Sequence, residues 1–86
     1  MRVLIPTPLR SYTGGASMVE ARGADLLGVL DSLDGACPGF KFRMVDEQGH
    51  IRPHIKVFVG GELADDLRAR VGERDEVQII CALSGG

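Results

Sequence analysis

The 86-residue chain has no tryptophan, one tyrosine and three phenylalanines, and its formal net charge is −2. So few aromatic rings leave little surface for stacking bases, and the acidic excess provides no general attraction for phosphate backbones. No apolar run approaches the roughly 20 residues that span a bilayer, and Pro6 and Pro8 interrupt the apolar start too early for a signal peptide. The sequence therefore argues against nucleic-acid and membrane partners, and we expect a cytoplasmic location.

Cysteine is also scarce. Cys37 and Cys81 are too few for a disulfide scaffold, so we interpret both as small reduced apolar side chains, with a pairing between them left open. His50 and His54 lie where no helix is predicted and add little to a zinc ligand set. We therefore predict no metal site, and no nucleophile and base stand in a pattern that indicates catalysis.

The apolar content of 44% is ordinary for one small globular domain. Residues 2–5 predict a short strand in which Val3 and Ile5 share a face. The glycine pair at 14–15 predicts a turn, and residues 17–21 predict a second strand. Together these segments predict an antiparallel hairpin.

The clearest helix is predicted over residues 24–33, where leucines recur at helical spacing. Asp25 lies in its first turn and suits the positive end of the helix dipole. Gly35 stands where a left-handed C-cap is expected, and Pro38 forbids continuation. For residues 40–45 strand and helix both fit the pattern, with a short helix preferred.

The second half of the chain predicts three more strands. Residues 54–59 alternate like a strand, Gly60-Gly61 predicts a hairpin turn, and residues 62–63 begin a very short return strand. Residues 65–70 fit one helical turn, and residues 76–83 predict the final strand. In that strand Val77, Ile79, Cys81 and Leu83 suit the core, while Ile80 and Ala82 fall on the opposite face, near Phe58.

This order of elements predicts an α+β fold, a mixed sheet of about five strands on one main helix, over residues 1–83. Ser84, Gly85 and Gly86 follow as a tail. Two glycines give a tail almost without side chains, which can thread a tunnel too narrow for other residues. The plainer interpretation of such a tail is simple fraying.

Several short motifs, in order, resemble the ubiquitin-like β-grasp sulfur carriers, which include the small subunit of molybdopterin synthase and the thiamine-pathway carrier. The segments that carry this resemblance are Ile5-Pro6-Thr7-Pro8-Leu9-Arg10 with Thr13-Gly14-Gly15, Val57-Phe58-Val59 with Gly61-Glu62, Arg74-Asp75-Glu76-Val77, and Leu83-Ser84-Gly85-Gly86. The opening segment is most similar to carriers of the cysteine-biosynthesis type. Gly60 replaces a frequent Asn of the family, and residues 63–73 are shorter than in typical cysteine-pathway members.

The resemblance implies that Gly86 is adenylated by a ubiquitin-activating-type partner that uses ATP, and is then converted by a sulfur donor to a thiocarboxylate. Gly85 and Ser84 would thread into the partner. The chain would bind no cofactor and would be a protein co-substrate, not an enzyme. A sulfur-accepting biosynthetic enzyme, and on the cysteine route a metal-dependent peptidase, are further expected partners.

For docking, the candidates are Ile80, Phe58 and Ala82, since exposed apolar groups beside a tail suit a partner interface. The alternative is that a partly covered sheet face simply tolerates them. Two other functions also stay open: a ubiquitin-like modifier joined through Gly86 to a lysine, and a β-grasp binding module with an incidental tail. Cysteine, molybdopterin, thiamine and related pathways all remain candidates for the sulfur.

Overall fold

A computed structural model describes residues 1–82 of the chain. Its strands form one mixed sheet in the order β2-β1-β5-β3-β4. The strand bounds are β1 Arg2–Leu4, β2 Met18–Glu20, β3 Ile55–Val59, β4 Glu62–Leu63 and β5 Val77–Cys81. Two helices pack with the sheet, α1 Leu26–Ala36 and α2 Phe40–Met44, and a 3₁₀ helix spans Thr7–Thr13.

The two predicted hairpins are confirmed. β1 pairs antiparallel with β2, and β3 pairs antiparallel with β4. Gly60 and Gly61 connect the second hairpin with φ angles of 57° and 87°. Positive φ at both central residues is the geometry of a two-residue hairpin turn whose twist matches that of the strands, and glycine adopts it without steric cost.

β5 lies in the middle of the sheet, parallel to β1 and antiparallel to β3. Its alternation follows the prediction: Val77 and Ile79 are buried, Cys81 is half-buried, and Gln78, Ile80 and Ala82 are exposed. Leu83 lies outside the described residues. A central strand with one face in the core explains why the apolar set at odd positions is so regular.

Helix α1 covers the inner face of the sheet with Leu26, Val29, Leu30 and Leu33, each at most 1% exposed. Asp25 is its N-cap, and the carboxylate accepts a hydrogen bond of 2.8 Å from the Gly28 N–H. The predicted C-cap at Gly35 is wrong, because the helix continues through Ala36 and Cys37 is the cap. Pro38 disfavours helical geometry at the residue before it, so the proline ends the helix.

The predicted helical turn at residues 65–70 is also wrong. Asp66 accepts the Arg68 N–H at 2.7 Å, an interaction that competes with helix formation. The same segment pairs with the start of α1: the N–H groups of Leu26 and Leu27 donate to the carbonyls of Ala69 and Leu67. Those two donors have no partner inside the helix, so the segment satisfies them from outside.

Helix α2 confirms the preferred prediction for residues 40–45. It buries Phe40 and Met44, and its end is tied to the start of β3, since Arg52 N–H donates to Met44 O at 2.8 Å. The 3₁₀ helix was not predicted. Tyr12 in that helix packs edge-on against Phe40, with ring centroids 6.5 Å apart. α2 therefore connects the 3₁₀ helix with the beginning of β3 at one end of the core.

The predicted α+β class, a mixed five-stranded sheet on one main helix, is confirmed. Within residues 1–82, no helix is long and apolar enough to cross a membrane.

Candidate functional site

The last ladder bond of β5 fixes the point from which the predicted tail continues. Ala82 N–H donates to His54 O at 2.7 Å, just beyond the pairing of Ile55 with Cys81. The tail residues Ser84, Gly85 and Gly86 lie outside the described residues, so their predicted roles stay predictions, as does the boundary at residue 83. The structure shows the surface around Ala82, the last described residue before the tail.

The outer face of the sheet, opposite α1, carries one continuous row of paired residues. Along this row Met18 pairs with Leu4, Leu4 with Gln78, Gln78 with Phe58, and Phe58 with Leu63. Directly paired residues share a face and their Cβ atoms lie about 4.5–5.5 Å apart. Each of the five strands thus contributes one residue to the row, and four of the five are apolar.

Ile80 extends this row toward the end of β5, two residues beyond Gln78 on the same face. Ile80, Met18 and Leu63 are 40%, 41% and 51% exposed. Side chains this large are seldom left clustered in water on a monomer without a binding role. We call Leu4, Met18, Phe58, Leu63 and Ile80 the apolar band.

The three residues predicted for docking lie on this outer face. Ile80 pairs with Lys56, and Phe58 pairs with Gln78, so Phe58 and Ile80 are diagonal neighbours. Ala82 is exposed and follows Ile80 on the same side of β5. Sequence reasoning missed Leu4, Met18 and Leu63, because only the strand order places β1, β2 and β4 in the same row.

Charged residues of the outer face flank the band. Lys56 lies beside Ile80, and Arg2 lies near the opposite end of β5, opposite Glu20 and paired with Glu76 at 3.2 Å. No charged or polar side chain is buried in the described part of the chain. In an interface with a partner protein, the band would form the apolar centre that excludes water. The charged residues around it would set the orientation of the partner.

A carboxylate whose pKa is lowered lies away from the band, in the turn after α2. Asp46 accepts the N–H groups of His50 and Gln48, both at 2.9 Å. The bond from His50 is the main reason that the pKa of Asp46 is lowered, with Gln48 and the charges of His50 and Arg52 adding to it. This carboxylate orders a turn and is not placed to act on a substrate at the band.

The cysteines and histidines singled out from the sequence do not come together. Cys37 caps α1 and Cys81 lies in β5, and both are free, half-buried thiols. His50 lies in the turn after α2, and His54 precedes β3. Among residues 1–82 no three metal-ligating side chains are close enough to hold an ion. The surface near the tail can therefore bind a partner and present the tail to it. Among the described residues no set of side chains is arranged for catalysis.

A surface depression of about 660 Å³ lies between Met1, Gly23 and Val71. Met1 precedes β1, which runs parallel to β5, so this depression is at the end of the sheet opposite Ala82. It is therefore remote from the tail and from the band's Ile80.

Comparison with known proteins identifies the family. The sequence profile of the ThiS family matches residues 3–86. The sulfur carrier protein CysO of Mycobacterium bovis, and that of Mycobacterium tuberculosis, are 32% identical over 89 aligned residues, which cover 98% of this chain and 96% of theirs.

Solved structures give the same result. CysO in the BexX/CysO complex of Amycolatopsis orientalis superposes with a TM-score of 0.91 at 38% identity, covering 99% of this chain and 98% of that one. The small archaeal modifier protein SAMP1 of Haloferax volcanii gives 0.77 at 28% identity, covering 99% and 97%. With the profile match over nearly its whole length, the chain belongs to the ThiS family and is a ubiquitin-like sulfur-carrier protein of the β-grasp fold.

Proposed function

We propose that this carrier holds sulfur as a thiocarboxylate on Gly86, formed directly or after trimming of a longer precursor. The observation that supports it most is the match to the ThiS family through residue 86, together with the Gly85-Gly86 end of the sequence. An ionised α-carboxylate, with a pKa of about 3.3–3.7, is a poor electrophile, so it must be activated before sulfur can be added.

The chemistry follows from that requirement. A carboxylate oxygen of Gly86 attacks the α-phosphorus of ATP on a ubiquitin-activating-type enzyme, and pyrophosphate leaves. The terminal sulfur of a persulfide donor then attacks the acyl carbon and displaces AMP. A thiol cleaves the resulting S–S bond, which leaves the thiocarboxylate on Gly86 and a disulfide on the donor side. The chain supplies the acyl group and is a co-substrate that binds no cofactor of its own.

The tail and the band have separate roles in this proposal: the tail carries the reacting group, and the band binds the partner. Gly86 lies four residues beyond Ala82, a span of at most about 14 Å in extended chain. Ser84 and Gly85 add no bulky side chain there, so the tail can enter a narrow channel. Ile80 and Ala82 lie next to the start of the tail, and with Phe58 and the rest of the band they provide the binding area. A relative forms a complex with a protein, BexX, which is consistent with such a partner.

Similarity to CysO proteins favours cysteine or a related sulfur metabolite as the destination of the sulfur. A sulfur-accepting enzyme and, on the cysteine route, a metal-dependent peptidase would act after the carrier. ATP-dependent activation and these biosynthetic partners place the carrier in the cytoplasm under the same proposal. Molybdopterin and thiamine synthesis are the competing destinations.

A second candidate function is conjugation to lysine, as a protein modifier. It is favoured by the similarity to the small archaeal modifier protein SAMP1, at 28% identity over 99% of this chain. Intact mass after incubation with the adenylating enzyme, ATP and a sulfur donor separates the candidates. A thiocarboxylate adds about 16 Da, because sulfur replaces one oxygen at the acyl carbon. A lysine conjugate is a much heavier species, and an inert binding module keeps its mass.

The decisive variant series is Gly86→Ala and Gly86→Val. Added bulk at the reacting residue should reduce adenylation with size, to background for valine, because the channel that accepts glycine has no room for a branched side chain. Pyrophosphate exchange measures the activation, and urea unfolding should give the same midpoint for all three proteins. Full activation of the valine variant would refute the role of the tail.

A further inference from the structure

Three arginines are held in place through one nitrogen each and keep their remaining N–H groups for other partners. Arg10 Nε donates to Ile5 O at 3.1 Å, and Arg52 Nε donates to Phe42 O at 2.9 Å. Arg43 Nε donates to the hydroxyl of Tyr12. Within residues 1–82 none of the three forms an ion pair.

Two of these guanidinium groups are also stacked on aromatic rings. Arg43 lies over the Tyr12 ring at 5.5 Å from its centroid, and Arg52 lies over the Phe42 ring at 4.8 Å. The ring contacts and the bonds from Nε restrict where these guanidinium groups lie. The two terminal nitrogens of each fork keep their N–H groups for a partner.

Other cations of the chain are placed differently. Arg2, Lys41 and Arg68 are in ion pairs with Glu76, Asp31 and Asp66. Arg22, Arg70 and Arg74 line surface depressions whose walls also contain Glu73 or Asp75. A hydrogen bond from Nε without an ion pair thus distinguishes Arg10, Arg43 and Arg52, which we call the arginine cluster.

The topology places the cluster at the end of the sheet where β5 ends. β5 runs between β1 and β3, and Ile5, which anchors Arg10, directly follows β1 on one side of β5. On the other side Arg52 lies two residues before His54, whose carbonyl accepts the Ala82 N–H. Arg43 is on α2, which connects these two sides at the end of the core. All three arginines therefore stand on elements at the end of the sheet where Ala82 lies.

Several carboxylates near α2 already have other partners: Asp34 accepts the N–H groups of Gly39 and Lys41, and Asp31 pairs with Lys41. Asp46 is close enough to Arg52 for that charge to contribute to its lowered pKa, but one of its oxygens is occupied by the N–H groups of Gln48 and His50. Lys56 lies on the same end of the sheet and adds a further positive charge. These cations are thus concentrated at the end of the sheet where β5 ends, in a chain whose overall charge is −2.

We infer that the arginine cluster binds carboxylates on the rim of the channel, in the partner protein, that receives the tail. Forks that stand on three different elements at the end of the sheet where β5 ends match an acidic rim around an opening, since Arg pairs with carboxylates through two parallel hydrogen bonds. Such a rim would attract the tail end first and orient the carrier before the apolar band makes contact. This inference rests on the proposed function for the identity of the partner, and its geometry is independent of it.

The first test needs no partner. The isotopically labelled full chain is titrated with an octaglutamate peptide at low salt, and the Nε–H signals of Arg10, Arg43 and Arg52 are followed by NMR. We expect these signals to shift together, and those of Arg22, Arg70 and Arg74 to stay near their positions. A shift spread equally over all arginines would overturn the assignment. Inorganic phosphate at equal charge is the second titrant, and shifts as large as those from the peptide would replace the carboxylate rim by a phosphate site.

The second test compares two triple variants that remove the same charge. Arg10→Gln, Arg43→Gln and Arg52→Gln together should weaken peptide binding and slow association with the adenylating enzyme by about tenfold or more at low salt. Arg22→Gln, Arg70→Gln and Arg74→Gln together should change both by less than about twofold. Equal losses in the two triples would show that only net charge acts, which contradicts the inference.

A third variant guards against loss of fold. Replacing the three cluster residues by Lys keeps the charge and removes the fork, and we expect binding between those of the original chain and the Gln triple. Failure of Gly86 to be adenylated while the peptide still binds the cluster would refute the proposed function alone. Normal adenylation with no peptide binding and unchanged association in the Gln triple would refute the cluster alone.

Discussion

The two faces of the sheet are built from the same strands, yet one is buried and the other is exposed to solvent. On the inner face Val3, Val57, Val77 and Ile79 are at most 3% exposed beneath α1. On the outer face the apolar band has members of similar size, and Ile80 next to Ile79 on the same strand is 40% exposed. Apolar character alone therefore does not distinguish a core face from a binding face.

The difference lies in what covers each face. The inner face receives the four buried side chains of α1 and the two of α2, and no charged or polar side chain is buried there in the described residues. The outer face receives no element of residues 1–82, and its residues adjoin the start of the tail. An apolar face that the chain itself leaves open is available to a partner, and the hydrophobic effect then contributes to association as it contributes to folding on the other side.

The sharpest test of this contrast truncates two neighbouring residues of β5 in separate variants. Ile79→Ala should lower the free energy of unfolding by about 2–5 kcal/mol, because it leaves a cavity among packed side chains. Ile80→Ala should lower it by no more than about 1 kcal/mol, because water already reaches that side chain. Urea unfolding of the two variants measures both values. Equal losses would show that the outer face supports the fold as much as the inner one does.

The layer that covers the inner face depends on a close approach at one glycine. A Cβ on Gly23 would lie 2.4 Å from Val29 N, so Gly23→Ala should force the preceding loop away from α1 and cost about 1–3 kcal/mol or more. Gly35 is the matched control, since it is helical and a Cβ there meets nothing within 4 Å. Gly35→Ala should stabilise by about 0.4–1 kcal/mol. Thermal unfolding midpoints that moved in the same direction would refute this account.

On the open face, Ile80→Asp should weaken binding to the adenylating enzyme at least about tenfold, since a charge would be desolvated at the centre of the contact. Leu27→Asp is the control, because Leu27 is 38% exposed but belongs to α1, on the other side of the sheet. Its affinity should match that of the original chain. Titration calorimetry measures both, and unchanged affinity for Ile80→Asp would argue that the band is a tolerated surface.

The smallest expected effect is the dependence of stability on pH in the acidic range. Neither face has a buried ionisable side chain in the described region, so the pH dependence of stability should come from surface turns such as that of Asp46. Its pKa is lowered from 3.8 in the folded protein, chiefly by the His50 N–H. A depressed pKa means that the contribution is present above 3.8 and is lost as pH falls through the lower folded value.

Asp46→Asn should therefore reduce the urea midpoint slightly near neutral pH, and the difference from the original chain should shrink toward zero in strong acid. Glu47→Gln is the control, because Glu47 is the neighbouring carboxylate and accepts none of the turn's described hydrogen bonds. A difference that grew on acidification would contradict the sign of the pKa shift.

Sequence patterns predicted those elements whose signals are local. Alternation in β3 and β5 placed the inner and outer residues correctly, and the glycine pair at 60–61 predicted a hairpin that the φ angles confirm. Local patterns failed at Gly35 and at residues 65–70. At the first, Pro38 ends the helix later than the glycine suggested. At the second, backbone groups pair with the start of α1, a contact far away in sequence.

The apolar band was only partly predictable for the same reason. Ile80, Phe58 and Ala82 follow from alternation within two strands. Leu4 and Met18 were visible as apolar residues, but their membership of the band depends on β1 lying next to β5 and β2 next to β1.

The sequence by itself determined the α+β class, most strand faces, the main helix and the Gly-Gly end, because each of these depends on the spacing and conformational freedom of neighbouring residues. Only the tertiary structure decided that five strands place one row of side chains on an uncovered face, and that three arginines from separate elements stand at the end of the sheet where β5 ends. Both arrangements arise from strand order and long-range hydrogen bonds, which bring together residues that no local periodicity connects.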